Sequence, residues 1–203
     1  MPAAKTKPAA DTTKSFWITG DEQADQLLAA DPLALLLGML LDQQVPMEWA
    51  FHAPYLLKER LGGQLDAGKI AAMSEDEIVQ AFVDKPALHR YPASMAKRAH
   101  ALCAEIASTY DGDAARIWTE ATSGQELVKR LLALPGFGPD KAKIFTAVLG
   151  KRLGVRPAGW EEACAPFSDD VRRSVADADS PEHLDEVRAF KRSMKAKGKG
   201  KAD

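Results

Sequence analysis

Apolar residues recur along most of the chain at the three- and four-residue spacing of an amphipathic helix, and runs that alternate every second residue are scarce. Asp31-Pro32 puts a side-chain cap and a first-turn proline together, which opens a helix over Leu33–Gln44 that Pro46 limits. A second helix over Met47–Leu61 stops at Gly62-Gly63. Ser74-Glu75-Asp76-Glu77 has the spacing of a capping box and leads into Ile78–Val83. Tyr91-Pro92 precedes a longer helix, Ala93–Tyr110, with Met95, Leu102, Ile106 and Tyr110 on one face. After the Asp111-Gly112 turn come a short helix over Ala114–Trp118 and a second capping box, Ser123-Gly124-Gln125-Glu126, which starts Leu127–Leu134. The expected class is all-α, with no tandem repeat.

The two ends fall outside this pattern. Residues 1–15 and 193–203 are rich in Ala, Lys, Pro, Thr and Gly and carry too little apolar surface to repay the entropy of ordering, so both are expected to be disordered around a helical core over 16–192. Charge is uneven as well. The chain has 27 basic and 29 acidic residues, a net charge of −2, yet from Arg188 onward there are seven basic residues and one acid. Any basic site in the body must therefore be local. The longest apolar stretch, Leu33–Leu41, is about half the roughly 20 residues a bilayer span needs, and Met1–Lys14 lacks the apolar centre of a secretory signal, so no membrane association is expected. Cys103 and Cys164 stand far apart without zinc or iron–sulfur spacing. No metal held by side chains and no iron–sulfur cluster is expected, and a reducing cytoplasm fits.

The densest chemistry lies in residues 126–153. An amphipathic helix ends at Leu134, Pro135-Gly136-Phe137-Gly138 forms a turn, and Pro139-Asp140-Lys141-Ala142-Lys143 opens another helix. Gly136 and Gly138 let the backbone turn sharply and come close to another molecule. The start of the second helix offers unpaired N–H groups and a partial positive charge, to which Lys141 and Lys143 add. Such a hairpin can hold a phosphate, or it can serve only to reverse the chain between packed helices.

Leu134–Ala142 resembles the helix-hairpin-helix of the HhH-GPD superfamily of base-excision DNA glycosylases. Upstream, Leu36–Gln44, ending in Asp42-Gln43-Gln44, resembles that superfamily's helix with a terminal Ser-Gln-Gln type motif. The span from about residue 30 to 192 is similar to an actinobacterial-type branch of the superfamily. The resemblance implies a two-lobed helical HhH-GPD fold with the helix-hairpin-helix at 126–153, and a monomer acting on double-stranded DNA with damaged bases in the cytoplasm, at the nucleoid. The implied activity is that of a monofunctional DNA N-glycosylase; the alternative is a catalytically inactive damaged-DNA-binding protein of the same fold. No cofactor is implied beyond a monovalent cation at the hairpin backbone.

Carried onto this chain, the resemblance makes Gly136, Gly138, Lys141 and Lys143 a phosphate clamp. Gln43 and Gln44 become a wedge for the gap left by a flipped base, since neutral amides hydrogen-bond the orphaned partner without electrostatic cost. Asp42 stands where many relatives carry serine or a small residue. It either accepts a hydrogen bond from an exocyclic amine in the base pocket or plays a structural part. The implied place of the catalytic aspartate is occupied by Ala158, Gly159 and Trp160, which leaves Glu161 and Glu162 as the nearest carboxylates. These are either catalytic or the first turn of a solvated helix. Trp160 either stacks on an extruded base or anchors its loop. A lysine nucleophile would fall at Asp140, so no β-lyase activity is expected. Arg90, Lys97 and Arg98 form a basic stretch that meets phosphate or faces solvent. His52, His89, His100 and His183 have no partner at ligand spacing, and Trp49, Phe51 and Tyr55 read as core. The basic tail either condenses on DNA phosphates or solubilises the chain.

Overall fold

The helix that begins at Pro32 is apolar on every side, and this decides where it goes. In the computed structural model, which describes residues 16–198, α2 (Pro32–Leu41) has all its residues from Leu33 to Leu41 buried. A helix without a polar face has to be covered all round, and α1 (Glu22–Ala30), α3 (Met47–Arg60) and α6 (Pro92–Thr109) cover it. α3 comes closest at Gly38, where a Cβ would lie 2.6 Å from the Phe51 ring. Among the described residues no single helix is long and apolar enough to cross a membrane.

Two groups of helices pack outward from this centre. α4 (Ala67–Ala72) and α5 (Glu75–Val83) lie on α6. In the second group α7 (Arg116–Thr119) packs on α8 (Gly124–Leu132), which packs on α9 (Pro139–Arg152) and the short α10 (Trp160–Ala163). A 3-10 turn, Val175–Asp177, rests on α9 and receives α11 (Pro181–Ala196). The turn is fixed by a buried ion pair: Lys151 Nζ lies 2.6 Å from Asp177 Oδ1, while the other carboxylate oxygen accepts the N–H groups of Arg173 and Ser174. The expected all-α class holds: the described residues contain no strand, only an isolated bridge between Ser123 and Ala158.

The caps at Asp31 and Ser74 form as expected, the second as a complete box. At Ser123 only half of the box forms. Ser123 accepts from the Glu126 N–H, but the Glu126 carboxylate turns to the Thr122 hydroxyl and N–H and to Arg130. These bonds, the Thr122 hydroxyl foremost, hold its carboxyl down at about 2.

Two boundaries differ from expectation. The helix over Leu33–Gln44 ends at Leu41, because Asp42 leaves helical geometry (ψ 70) and Gln44 adopts φ +57. The disordered C-terminal segment expected from residue 193 is helical as far as Ala196. The tail's lysines hide a seam of Leu184, Val187 and Met194 at helical spacing, and all three are buried. The expected N-terminal arm, residues 1–15, and the last residues, 199–203, lie outside the described residues.

Candidate nucleic-acid interface

An α-helix leaves its last carbonyls unpaired and partly negative. At the end of α2 that charge is met by a side chain more than a hundred residues away. Lys141, in the first turn of α9, donates from Nζ to the carbonyl oxygens of Met39 at 2.8 Å and Leu40 at 2.5 Å. Beside it, Gly136 adopts φ +83, and a Cβ there would sit 2.4 Å from Leu40 Cδ1. The Asp42-Gln43-Gln44 end of α2 and the glycine hairpin thus form one junction, held by a cation and a close backbone approach.

In this placement both lysines of the expected phosphate clamp bond to carbonyls of the protein itself. Lys141 spends its ammonium on α2 rather than projecting from the hairpin, because the carbonyls at that helix end lie within its reach. Lys143 extends to the carbonyl of Ala165, at 3.2 Å. What the hairpin presents outward is Gly138, the N-cap of α9. It has extended backbone, nothing within 4 Å of its would-be Cβ, and no side-chain cap on the helix that follows.

The two glutamines separate in the same way. Gln43 is half-buried: its Nε2 donates to Leu40 O at 2.9 Å, and its Oε1 accepts from Arg98 Nη1 at 3.1 Å. It therefore cannot serve as an inserted amide without giving up the end of α2. Gln44 is exposed at φ +57, a conformation uncommon outside glycine. Asp42, half-buried, is the C-cap of α2, its N–H donating to Gly38 O.

His89 holds this turn from below and was not singled out by the sequence, since no ligand spacing surrounds it. It is 1% exposed. Its Nδ1 accepts the Tyr91 N–H at 3.0 Å, so the proton sits on Nε2, which donates to Gln43 O at 3.0 Å. Burial pushes its pKa below the ordinary imidazole value, and the Lys141 charge acts in the same sense. The ring is neutral. Trp49 and Tyr91 flank it at centroid distances of 6.3 and 6.1 Å. Both reach the surface, and the Arg90 guanidinium lies 5.5 Å above the Tyr91 ring. Trp49 is therefore not the core residue expected, whereas Phe51 is buried and Tyr55 is half-buried, its hydroxyl bonding Gln23. Of the basic stretch, Arg98 faces the Gln43 amide, while Lys97 pairs with Glu75 at 2.7 Å on an exposed face.

At the far end of α9 the candidate carboxylates take a different setting. Trp160 lies flat against the helix: a Cβ at Gly150 would be 2.3 Å from its ring, and one at Gly124 would be 2.5 Å from its Cα. Arg156 covers the indole at 5.6 Å. The tryptophan anchors its loop. Glu161 and Glu162 follow in the four-residue α10, and both are exposed.

Comparison with known proteins adds no relative: no family model, no curated protein and no solved structure matches this chain. Among the described residues no group of three or more His, Cys, Asp or Glu side chains could hold a metal ion.

Proposed function

We propose that this chain is a base-excision DNA repair protein of the helix-hairpin-helix glycosylase kind, gripping duplex DNA by its phosphates and displacing a damaged base. The observation that carries the reading is the junction itself. Lys141 ties the glycine hairpin to the end of α2, so a backbone grip at Gly138 and the α9 N-terminus stands at a fixed distance from the exposed Gln44. Phosphate contacts position a protein on a duplex but read no sequence. The inserted amide then senses how easily a base leaves the stack, which costs least at damaged or mismatched positions.

Hydrolysis of the N-glycosidic bond of the displaced base is the reaction this arrangement serves, with Glu161 or Glu162 as the carboxylate that steadies charge developing on the sugar. A second reading is favoured by their exposure and by the anchored Trp160 before them. In it the chain recognises distorted DNA and releases no base. One experiment tests both. Binding of the full chain to duplexes carrying an alkylated base, a deaminated base or an abasic analogue is measured, with base release scored on the first two. Selective binding that Gln44→Ala removes supports recognition, and abasic product decides for the glycosylase. Equal affinity for damaged and intact duplex would sink the proposal.

A further inference from the structure

We infer that the C-terminal half of α11 is a second contact to the phosphodiester backbone, flanking the point where Gln44 meets the duplex; the inference rests on the DNA-binding reading above. The charges of α11 are sorted along its length. Glu182, Asp185 and Glu186 lie in its first half; Arg188, Lys191, Arg192 and Lys195 lie in its second, and Lys197 follows as its C-cap. The helix macrodipole favours this order, but its effect fades within the last turn. It therefore accounts for Lys195 and leaves the basic run that starts two turns earlier unexplained.

The tertiary structure says where that run points. The buried seam of Leu184, Val187 and Met194 lays α11 on the body of the protein. At the edge of the seam, Arg188 pairs with Glu48 through Nε and Nη2, and Lys191 Nζ lies 3.4 Å from Met47 Sδ. Met47 and Glu48 open α3, immediately after the turn that carries Gln44. The basic half of α11 thus begins beside the start of α3, three residues past Gln44, and the acid at that edge, Glu48, is already paired with Arg188. Arg192, Lys195 and Lys197 are exposed. Arg192 and Lys195, three positions apart, share one helix face with Arg188 and Lys191 and can meet neighbouring phosphates of one strand, and Lys197 follows at the helix end. Charge complementarity and this position together select nucleic-acid backbone as the occupant.

The test uses the full chain and two duplexes of one sequence, one intact and one with an abasic analogue, titrated by fluorescence anisotropy at several salt concentrations. Replacing Arg192, Lys195 and Lys197 together by glutamine should lower the salt slope by about 2 to 3 and weaken binding roughly tenfold to a hundredfold near physiological salt. The loss should be equal on both duplexes, because backbone contacts carry no base information. Arg192→Lys alone should keep the slope. Circular dichroism and thermal melting check that the triple variant folds, as exposed substitutions should allow. An unchanged slope in a chain that still binds DNA would overturn the inference and leave the proposed function standing. So would charge-dependent binding to phosphatidylserine vesicles alongside that unchanged slope. No DNA binding by the unmodified chain would remove both.

Discussion

The two ends of α9 make opposite kinds of contact. At its N-terminal end Lys141 makes a charged cross-link to the carbonyls of Met39 and Leu40, and the neighbouring turn leaves Gln44 and Gly138 outward. At its C-terminal end the contact is dry: Trp160 closes over Gly150, and the chain continues into two exposed glutamates. A polar cross-link holds backbone in place while leaving room for a ligand beside it. A packed indole fills the space it occupies. On the proposed function the first end is the binding surface and the second a clasp, although the same proposal puts the reaction at the second.

The contrast can be broken most severely at the clasp. Gly150→Ala drives a methyl group into the Trp160 ring and Gly124→Ala drives one into the Trp160 backbone, so each should destabilise the protein by about 3 kcal/mol through overpacking, seen as a lower midpoint in thermal or urea unfolding. A midpoint within error of the parent would mean that the clasp is loose and that the pocket it fills is accessible. Next in size is Lys141→Met, which leaves the α2 carbonyls without their donor at a part-buried site. A loss of about 2 kcal/mol is expected, typical of hydrogen bonds to a charged group. Lesion selectivity should fall with it while binding to intact duplex survives; selectivity equal to the parent's would detach the hairpin from the Gln44 turn.

A smaller effect concerns His89. Its folded pKa lies below the ordinary imidazole value of 6.5 because burial disfavours the charged ring. The unfolded chain therefore takes up the proton first. The stability His89 contributes is intact above about pH 6.5 and is lost as pH falls through the lower folded value. The groups that bear on the ring are Lys141, the Tyr91 N–H on Nδ1 and the backbone at Gln43 and Leu41. Unfolding curves from pH 7.5 to 5 should show the decline, and His89→Gln should flatten it. An equal decline in both proteins would place the titration elsewhere.

The least effect on stability belongs to Glu161→Gln and Glu162→Gln, each within about 0.5 kcal/mol for an exposed residue. Their weight is chemical. If base release is detected, the variant that removes the participating carboxylate should slow it roughly a hundredfold or more, the low end for a lost acid–base group. Base release that neither variant slows would take both residues out of the reaction.

Much of the fold was readable from local chemistry. Asp31 before Pro32, the Ser74 box and the paired glycines after α3 and α8 mark chain boundaries that depend on nearby backbone groups alone. The unbroken apolar run from Leu33 to Leu41 likewise announces a helix buried on all sides. The reading failed where a short element has little periodicity to show. α1 and α4 passed unnoticed, α10 stood only as one of two readings of Glu161 and Glu162, and α11 hid its seam among lysines. The Asp42–Gln44 turn and the glycine hairpin, far apart in sequence, meet in one junction, but nothing local shows how each side chain there is used. Gln43 and Gln44 are adjacent and chemically identical, and only the φ of Gln44 sends one inward and the other out.

The sequence by itself determined that this is an all-helical chain, where most of its helices start and stop, and that two distant segments carry chemistry worth testing. These depend on period, caps and turn residues, which act over a few positions. The tertiary structure decided which charges are available. Lys141 is committed to α2, Glu126 to Thr122 and Arg130, and Arg188 to Glu48, while Gly138, Gln44 and the basic end of α11 are left to face outward. A side chain's charge is written in its residue type, but whether that charge can meet a ligand depends on which distant carbonyls and carboxylates the fold brings within reach of it.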